Sequence, residues 1–193
     1  MIYFTADTHL GHSNIIKHCN RPFSSCDEMD ETLIDNINSK VTKQDILYVV
    51  GDFAWGDKKS VEDYRDRIEC RQIYLVRGNH DKAIPTHCFE HVYDIADVKL
   101  PPPNTSFMGN VVLCHYAMRT WNHSHDRSWH LYGHSHNSLF EDPLSMSFDC
   151  GVDGNNFFPY SAEDVRIRMS PKWDALEVVY HAKNVYYLGG NRY

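Results

Sequence analysis

Short runs rich in β-branched and aromatic residues recur along the chain at Ile2 to Ala6, Ile46 to Val50, Ile73 to Val76, Val111 to Cys114, His130 to Tyr132 and Ser147 to Val152. Several are nearly continuous in apolar character, as in strands covered on both faces rather than strands with one wet face. Helix-like segments separate the first three. From Asp27 to Val41 the apolar residues Met29, Leu33, Ile34, Ile37 and Val41 share one face, and acidic residues crowd the first turn, where the helix dipole favours them. A second helix is expected from Ser60 to about Glu69, with Ser60 as N-cap and Val61, Tyr64 and Ile68 facing inward. Parallel neighbours cannot be joined by a tight turn, so this alternation argues for a parallel sheet with crossover helices.

The second half is strand-rich. A third helix is expected from Ser161 to about Met169, opened by a capping-box-like Ser161 and Asp164. After it, Leu176 to His181 and Val185 to Leu188 read as a hairpin turning at Ala182-Lys183-Asn184. Pro101-Pro102-Pro103-Asn104 reads as a stiff surface loop, and no repeat or linker divides the 193 residues, so one domain spanning 1–193 is expected.

Composition excludes several classes. With 42% hydrophobic and 23% charged residues the chain is an ordinary soluble globular protein, not a disordered or fibrous one. Nineteen Lys and Arg against 26 Asp and Glu give a net charge of -7, which repels phosphate backbones and anionic membrane surfaces. Extended nucleic acid and membranes are therefore poor partners, and any phosphate binding must be arranged locally. No run approaches the roughly 20 apolar residues of a membrane helix, and Met1 to Asp7 lacks the pattern of a signal peptide, so a cytoplasmic location is expected. The six cysteines form no C-x-x-C pair and read as reduced, mostly buried thiols. Histidine is in excess, with 13 residues, several beside aspartate or glycine at the ends of apolar runs. That pattern points to metal.

In open α/β sheets functional groups gather at the carboxyl ends of strands. After the first run come Asp7 and His9; after the second, Gly51-Asp52; after the third, Gly78-Asn79-His80-Asp81. His115 follows the fourth, and Gly133-His134-Ser135-His136 the fifth. Each has a bland alternative. Asp7 with His9 reads equally as a turn aspartate and a surface histidine, Asp52 as an N-cap, Asn79 and Asp81 as turn chemistry. The alternating histidines are stronger, because an extended segment sends them to opposite sides, where they can reach two metals. The conjunction decides: each of these runs ends in Asp, Asn or His, and glycine leaves room for close approach at Gly51, Gly78 and Gly133.

The ordered set Asp7-x-His9, Gly51-Asp52, Gly78-Asn79-His80-Asp81, His115 and Gly133-His134-x-His136 resembles the calcineurin-like metallophosphoesterase superfamily, whose motifs are D-x-H, G-D, G-N-H-[DE], a lone His and G-H-x-H. The resemblance runs from the start to about Asn155, leaving the expected hairpin, about 175–190, outside it. The fuller opening, Asp7-Thr8-His9-Leu10-Gly11-His12-Ser13-Asn14-Ile15-Ile16 with Arg21-Pro22-Phe23, is similar to a compact branch of small bacterial and phage phosphoesterases. One departure is that Gly51-Asp52-Phe53-Ala54-Trp55-Gly56 lacks the Asp-Arg that follows in protein Ser/Thr phosphatases, which argues against phosphoprotein specificity.

The resemblance implies an α/β fold, a sandwich of two facing mixed sheets flanked by helices. It implies two divalent cations, one held by Asp7, His9 and His136, the other by Asn79, His115 and His134, with Asp52 bridging them. A carboxylate can bind two cations about 3.5–4 Å apart, which together lower the pKa of a shared water to about 7. Imidazole, carboxylate and amide donors suit Mn, Fe, Co, Ni or Zn rather than Ca or Mg. The implied activity is hydrolysis of a phosphomonoester or phosphodiester by in-line attack of a hydroxide shared between the cations. His80 would donate a proton or hydrogen bond to the leaving oxygen. Asp81 would orient that segment or serve only its turn.

For the substrate side, His12, Arg21 and Arg119 lie in loops expected to rim the metals and offer cationic partners to a small phosphoester, a nucleotide among the candidates. Tyr116 to Trp129 reads either as a substrate loop or as a packed structural one, and His18, His87, His91 and His181 as non-functional. The rivals are a nucleotide-directed phosphodiesterase or pyrophosphohydrolase, and a binding scaffold that keeps the fold without catalysis. A nuclease is disfavoured because no basic stripe is visible.

Overall fold

Successive residues of the first three strands point to opposite cores, which is why those runs are apolar throughout. In the computed structural model, which describes residues 1–82, 84–100 and 109–189, with 181–189 by backbone alone, these strands are β1 (Ile2–Thr5), β2 (Ile46–Val49) and β3 (Gln72–Val76). Tyr3, Leu47, Val49, Ile73 and Leu75 face the helices α1 (Ser13–His18), α2 (Cys26–Lys40) and α3 (Lys58–Asp66); Phe4, Val50 and Val76 face a second sheet. With β4 (His91–Tyr93) the three form a parallel sheet in the order β4-β3-β2-β1, and β9 (Tyr160–Ser161) closes its other edge antiparallel to β1.

The second sheet runs β5 (Ala96–Lys99), β6 (Asn110–Leu113), β7 (Trp129–Tyr132), β8 (Ser147–Asp149). Only its β5–β6 pair is antiparallel. Val111, Leu113, Leu131 and Phe148 meet Phe4, Val50 and Val76 between the sheets. This is the expected pair of mixed sheets flanked by helices. Among the described residues no helix is long and apolar enough to cross a membrane. All six cysteines are unpaired; Cys70, Cys114 and Cys150 are buried.

Two expectations are corrected. α3 is capped by Asp57, whose carboxylate accepts from the Ser60 backbone N–H and hydroxyl at 2.9 Å each, so it begins ahead of the Ser60 cap. The C-terminal hairpin does not form: α4 runs Ala162–Gly189 straight through it, with Pro171 inside. The β-branched residues there suggested strands, but Ala162, Val165, Met169 and Lys172 recur at helical spacing and are buried, with Leu176 continuing the face against the inter-sheet core. An interior proline costs a helix about 3 kcal/mol or more. Contacts just past it offset that: Lys172 Nζ donates to the carbonyls of Asp142, Ser145 and Ser147 at 2.7–3.0 Å, and Arg127 lies 4.6 Å from the Trp173 ring centre. The loop expected at Pro101-Pro102-Pro103-Asn104 lies outside the described residues, as do the side chains of the expected hairpin's second strand and His181.

Candidate metal centre

The loops after β1, β2, β3, β6 and β7 converge at one edge of the two-sheet layer. Asp7 N–H donates to the Gly51 carbonyl and His9 N–H to the Asp52 carbonyl, both at 3.0 Å, so the first two loops are laced together. The donor atoms of Asp7, His9 and His136 lie within 4.8 Å of one another, and so do those of Asp52, His115 and His134. Asp52 stands between the sets: its Oδ2 is 3.6 Å from His9 Nε2 and 3.4 Å from His115 Nε2. Asn79 Oδ1 lies 3.1 Å from the same His115 nitrogen.

The donor chemistry fits cations. His115 Nδ1 lies 2.9 Å from the Val50 carbonyl, which accepts its proton and leaves Nε2 aimed at two oxygen acceptors. His9 Nε2 is buried with no hydrogen-bond partner. Converging acceptors need a proton or a cation between them. The titrations express the same crowding. Burial pushes Asp7 up to about 7 and holds His9 down to about 3. Burial works against ionisation of Asp52 and His115 as well, but their mutual hydrogen bond wins, holding Asp52 at about 2 and raising His115 to about 9. A divalent cation would displace that imidazole proton.

Asp7, His9, Asp52, His134 and His136 all have φ between 47° and 67°. The left-handed region costs a non-glycine residue about 1–3 kcal/mol, a strain typical of functional sites. Neighbouring glycines leave the room: a Cβ on Gly78 would stand 2.2 Å from Asp52 Oδ1, and one on Gly51 2.1 Å from His115 Nδ1. Carboxylates behind the loops hold the bent backbone. Asp81 accepts from the N–H groups of Asp52, Gly78 and Phe53 at 2.7, 2.8 and 3.1 Å, an orienting role beyond its own turn. Asp7 itself accepts from His134 N–H, and Asp52 from His80 N–H at 2.9 Å.

Two supporting aspartates escaped the sequence reading. Asp153 Oδ2 lies 2.8 Å from His136 Nδ1, which fixes that ring as a carboxylate behind a metal-type histidine does. Asp149 accepts from Ser135 Oγ, Asn137 N–H and Gly151 N–H. Asp149 closes β8, so the strand-end rule that found the other loops would have found it; Asp153 carries no local signal.

Of the three residues expected on the substrate side, the structure brings His12 to the cleft and places Arg21 and Arg119 elsewhere. Arg21 is 5% exposed and lies beneath the loops. Its guanidinium forks onto Asp153 at 2.8 and 2.9 Å and donates to the carbonyls of Asp7 and Thr8. A buried arginine must be paired, and these partners take up the guanidinium from beneath the loops. Arg119 is exposed but lines a different cavity, with Trp121, Arg127 and Leu144. His12 does line the cleft: its ring stacks on Trp55 at 4.4 Å and 10° and lies 5.9 Å from His80. His18, expected to be non-functional, shares that cleft of about 740 Å³. In the 116–129 segment, Trp121 Nε1 donates to the Ser128 carbonyl and Ser128 to Asn122, while the Tyr116 ring reaches 4.8 Å from His134.

The model of the calcineurin-like phosphoesterase family matches residues 1–154, the stretch that carries every one of these strand-end residues. The chain belongs to that family. An uncharacterized protein of Methanocaldococcus jannaschii is 34% identical over 84% of this chain and 87% of its own. The Gene 66 protein of Mycobacterium phage L5 is 27% identical over 71% of this chain and 78% of its own. Among solved structures, a protein of unknown function from Aquifex aeolicus superposes with a TM-score of 0.63 at 21% identity, covering 86% of this chain and 97% of that one, a likeness of fold.

Proposed function

We propose that this family member is a hydrolase that cleaves phosphodiesters at a two-cation centre bridged by Asp52. The observation that carries the reading is the Asp52 carboxylate lying 3.6 and 3.4 Å from imidazole nitrogens of two separate donor groups. Asp7, His9 and His136 would hold one cation and Asn79, His115 and His134 the other; Mn, Fe, Co, Ni and Zn all suit these donors. Bound there, the cations would supply the Lewis acidity that activates water and neutralises phosphoryl oxygens.

The chain's own residues supply the rest. His80 is a third exposed, with Nε2 3.9 Å from Asp52 Oδ2, so its ring reaches from the centre into the cleft. From there it would protonate the leaving oxygen. His12, braced by Trp55, would offer a hydrogen bond to the ester. The described residues lining the cleft include histidines, asparagines and serines but no Lys or Arg. A phosphodiester carries one negative charge where a monoester carries nearly two, so a cleft with no fixed side-chain cation favours the diester.

The test is metal analysis of protein purified without chelators, combined with hydrolysis of bis-p-nitrophenyl phosphate against p-nitrophenyl phosphate. The diester is expected to lead in kcat/KM by about tenfold or more, about 1.4 kcal/mol in transition-state stabilisation. A monoester preference refutes the diester assignment, and metal binding without turnover of either supports a non-catalytic scaffold.

A further inference from the structure

Away from the cleft, α3 and the turn before β4 bring together a second set of metal-type donors. Glu62 on α3 and His87 and Cys88 in the turn Thr86–Cys88 each present one donor atom, and the three atoms lie within 4.8 Å of one another. We propose that Glu62, His87 and Cys88 form a metal site for a zinc-type divalent cation, separate from the phosphoesterase centre. None of the three lines the cleft, and the proposal does not depend on the two-cation reading.

The spacing is close to what such an ion needs. Tetrahedral zinc, with Zn–S of 2.3 Å and Zn–N or Zn–O near 2.1 Å, sets its donors about 3.3–3.7 Å apart. His87 Nε2 and Glu62 Oε1 already stand 3.3 Å apart. Closing the remaining separations takes a movement of order 1 Å, within reach of side chains 73% and 37% exposed. Thiolate, imidazole and one carboxylate leave a fourth position for water, and the sulfur favours zinc over magnesium or calcium.

Carboxylates outnumber guanidinium groups in the cavity that holds the three donors. The three residues share a cavity of about 460 Å³ with Asp66 and Glu69. Arg65 and Arg71 also line it, but the Arg65 guanidinium is taken up by the carbonyls of Cys88, Ile68 and Arg71 at 2.9, 3.0 and 3.1 Å. It therefore pins the backbone of Cys88 in place. A thiolate beside the Glu62 carboxylate is repelled by it, and a divalent cation between them turns that repulsion into attraction. The ion would clip α3 to the segment that leads from Asp81 into β4. His87, non-functional by the sequence reading, thereby gains a role.

Titration of the chelator-treated full chain with Co²⁺ tests this, because a thiolate ligand adds a near-ultraviolet sulfur-to-cobalt charge-transfer band that carboxylate and imidazole sites lack. A rival thiol exists: Cys19 lies with His136 and Asp153 in another close donor group. The expected result is a band in the wild type and in Cys19→Ser that disappears in Cys88→Ser, with cobalt affinity at this site falling at least tenfold in His87→Ala. The exposed His87 makes that last variant safe for folding. No band in the wild type, or a band lost in Cys19→Ser and kept in Cys88→Ser, overturns the proposal.

Discussion

Replacing Arg21 by methionine separates a substrate clamp from a buried brace. The guanidinium is fully buried, the Asp153 carboxylate is 9% exposed, and the Asp7 and Thr8 carbonyls are its other partners. Methionine keeps much of the stem's volume but leaves the carboxylate and both carbonyls without these donors. Adding the hydrogen bonds one by one would overcount, since the folded protein also paid to desolvate the arginine. The relevant quantity is the penalty for stranding one partner of a buried pair, about 3–5 kcal/mol. In a domain of this size each kcal/mol moves Tm by about 2–4 °C, so Arg21→Met should lower it by roughly 6–20 °C. Asp153 also loses the cation that holds it against His136, so metal affinity should weaken as well. Thermal unfolding followed by circular dichroism, beside Michaelis kinetics on bis-p-nitrophenyl phosphate, reads both effects. An unchanged Tm with a tenfold higher KM would refute the argument and return Arg21 to the substrate pocket.

Two further substitutions probe the site. His80→Ala should leave metal content intact and cut turnover by roughly 10²–10⁴-fold, with a smaller loss for p-nitrophenol leaving groups, which need little protonation; equal losses for good and poor leaving groups would contradict the acid role. Asp81→Asn keeps one carbonyl oxygen where two carboxylate oxygens served three N–H groups, so metal affinity measured by competition with a chelator should fall about 10–100-fold, and an unchanged affinity would mark Asp81 as turn chemistry alone.

The parallel sheet and the strand-end residues were legible in the chain because both follow local rules: apolar runs covered on two faces, then polar residues with a glycine where two loops pass closely. What escaped depends on partners distant in sequence. Arg21 and Asp153 are 132 residues apart, and nothing near either one shows that the arginine turns under the loops rather than over the metals. The strand propensity of Val178, Val179 and Tyr180 is outweighed by the burial of Val165, Met169 and Lys172 earlier on the same helix, with Lys172 anchored to three carbonyls. Trp55 lies in a loop with no periodicity, so its stacking on His12 follows only from where the β1 and β2 loops meet.

The central claim is that one carboxylate serves two cations, and metal stoichiometry in Asp52→Asn tests it most directly. Elemental analysis of the wild type should give two divalent ions per chain, and the asparagine variant should lose affinity at both positions together, with hydrolysis of bis-p-nitrophenyl phosphate abolished. A single ion per chain in the wild type, or an Asp52→Asn protein that loses one ion and keeps useful activity, would contradict the bridge.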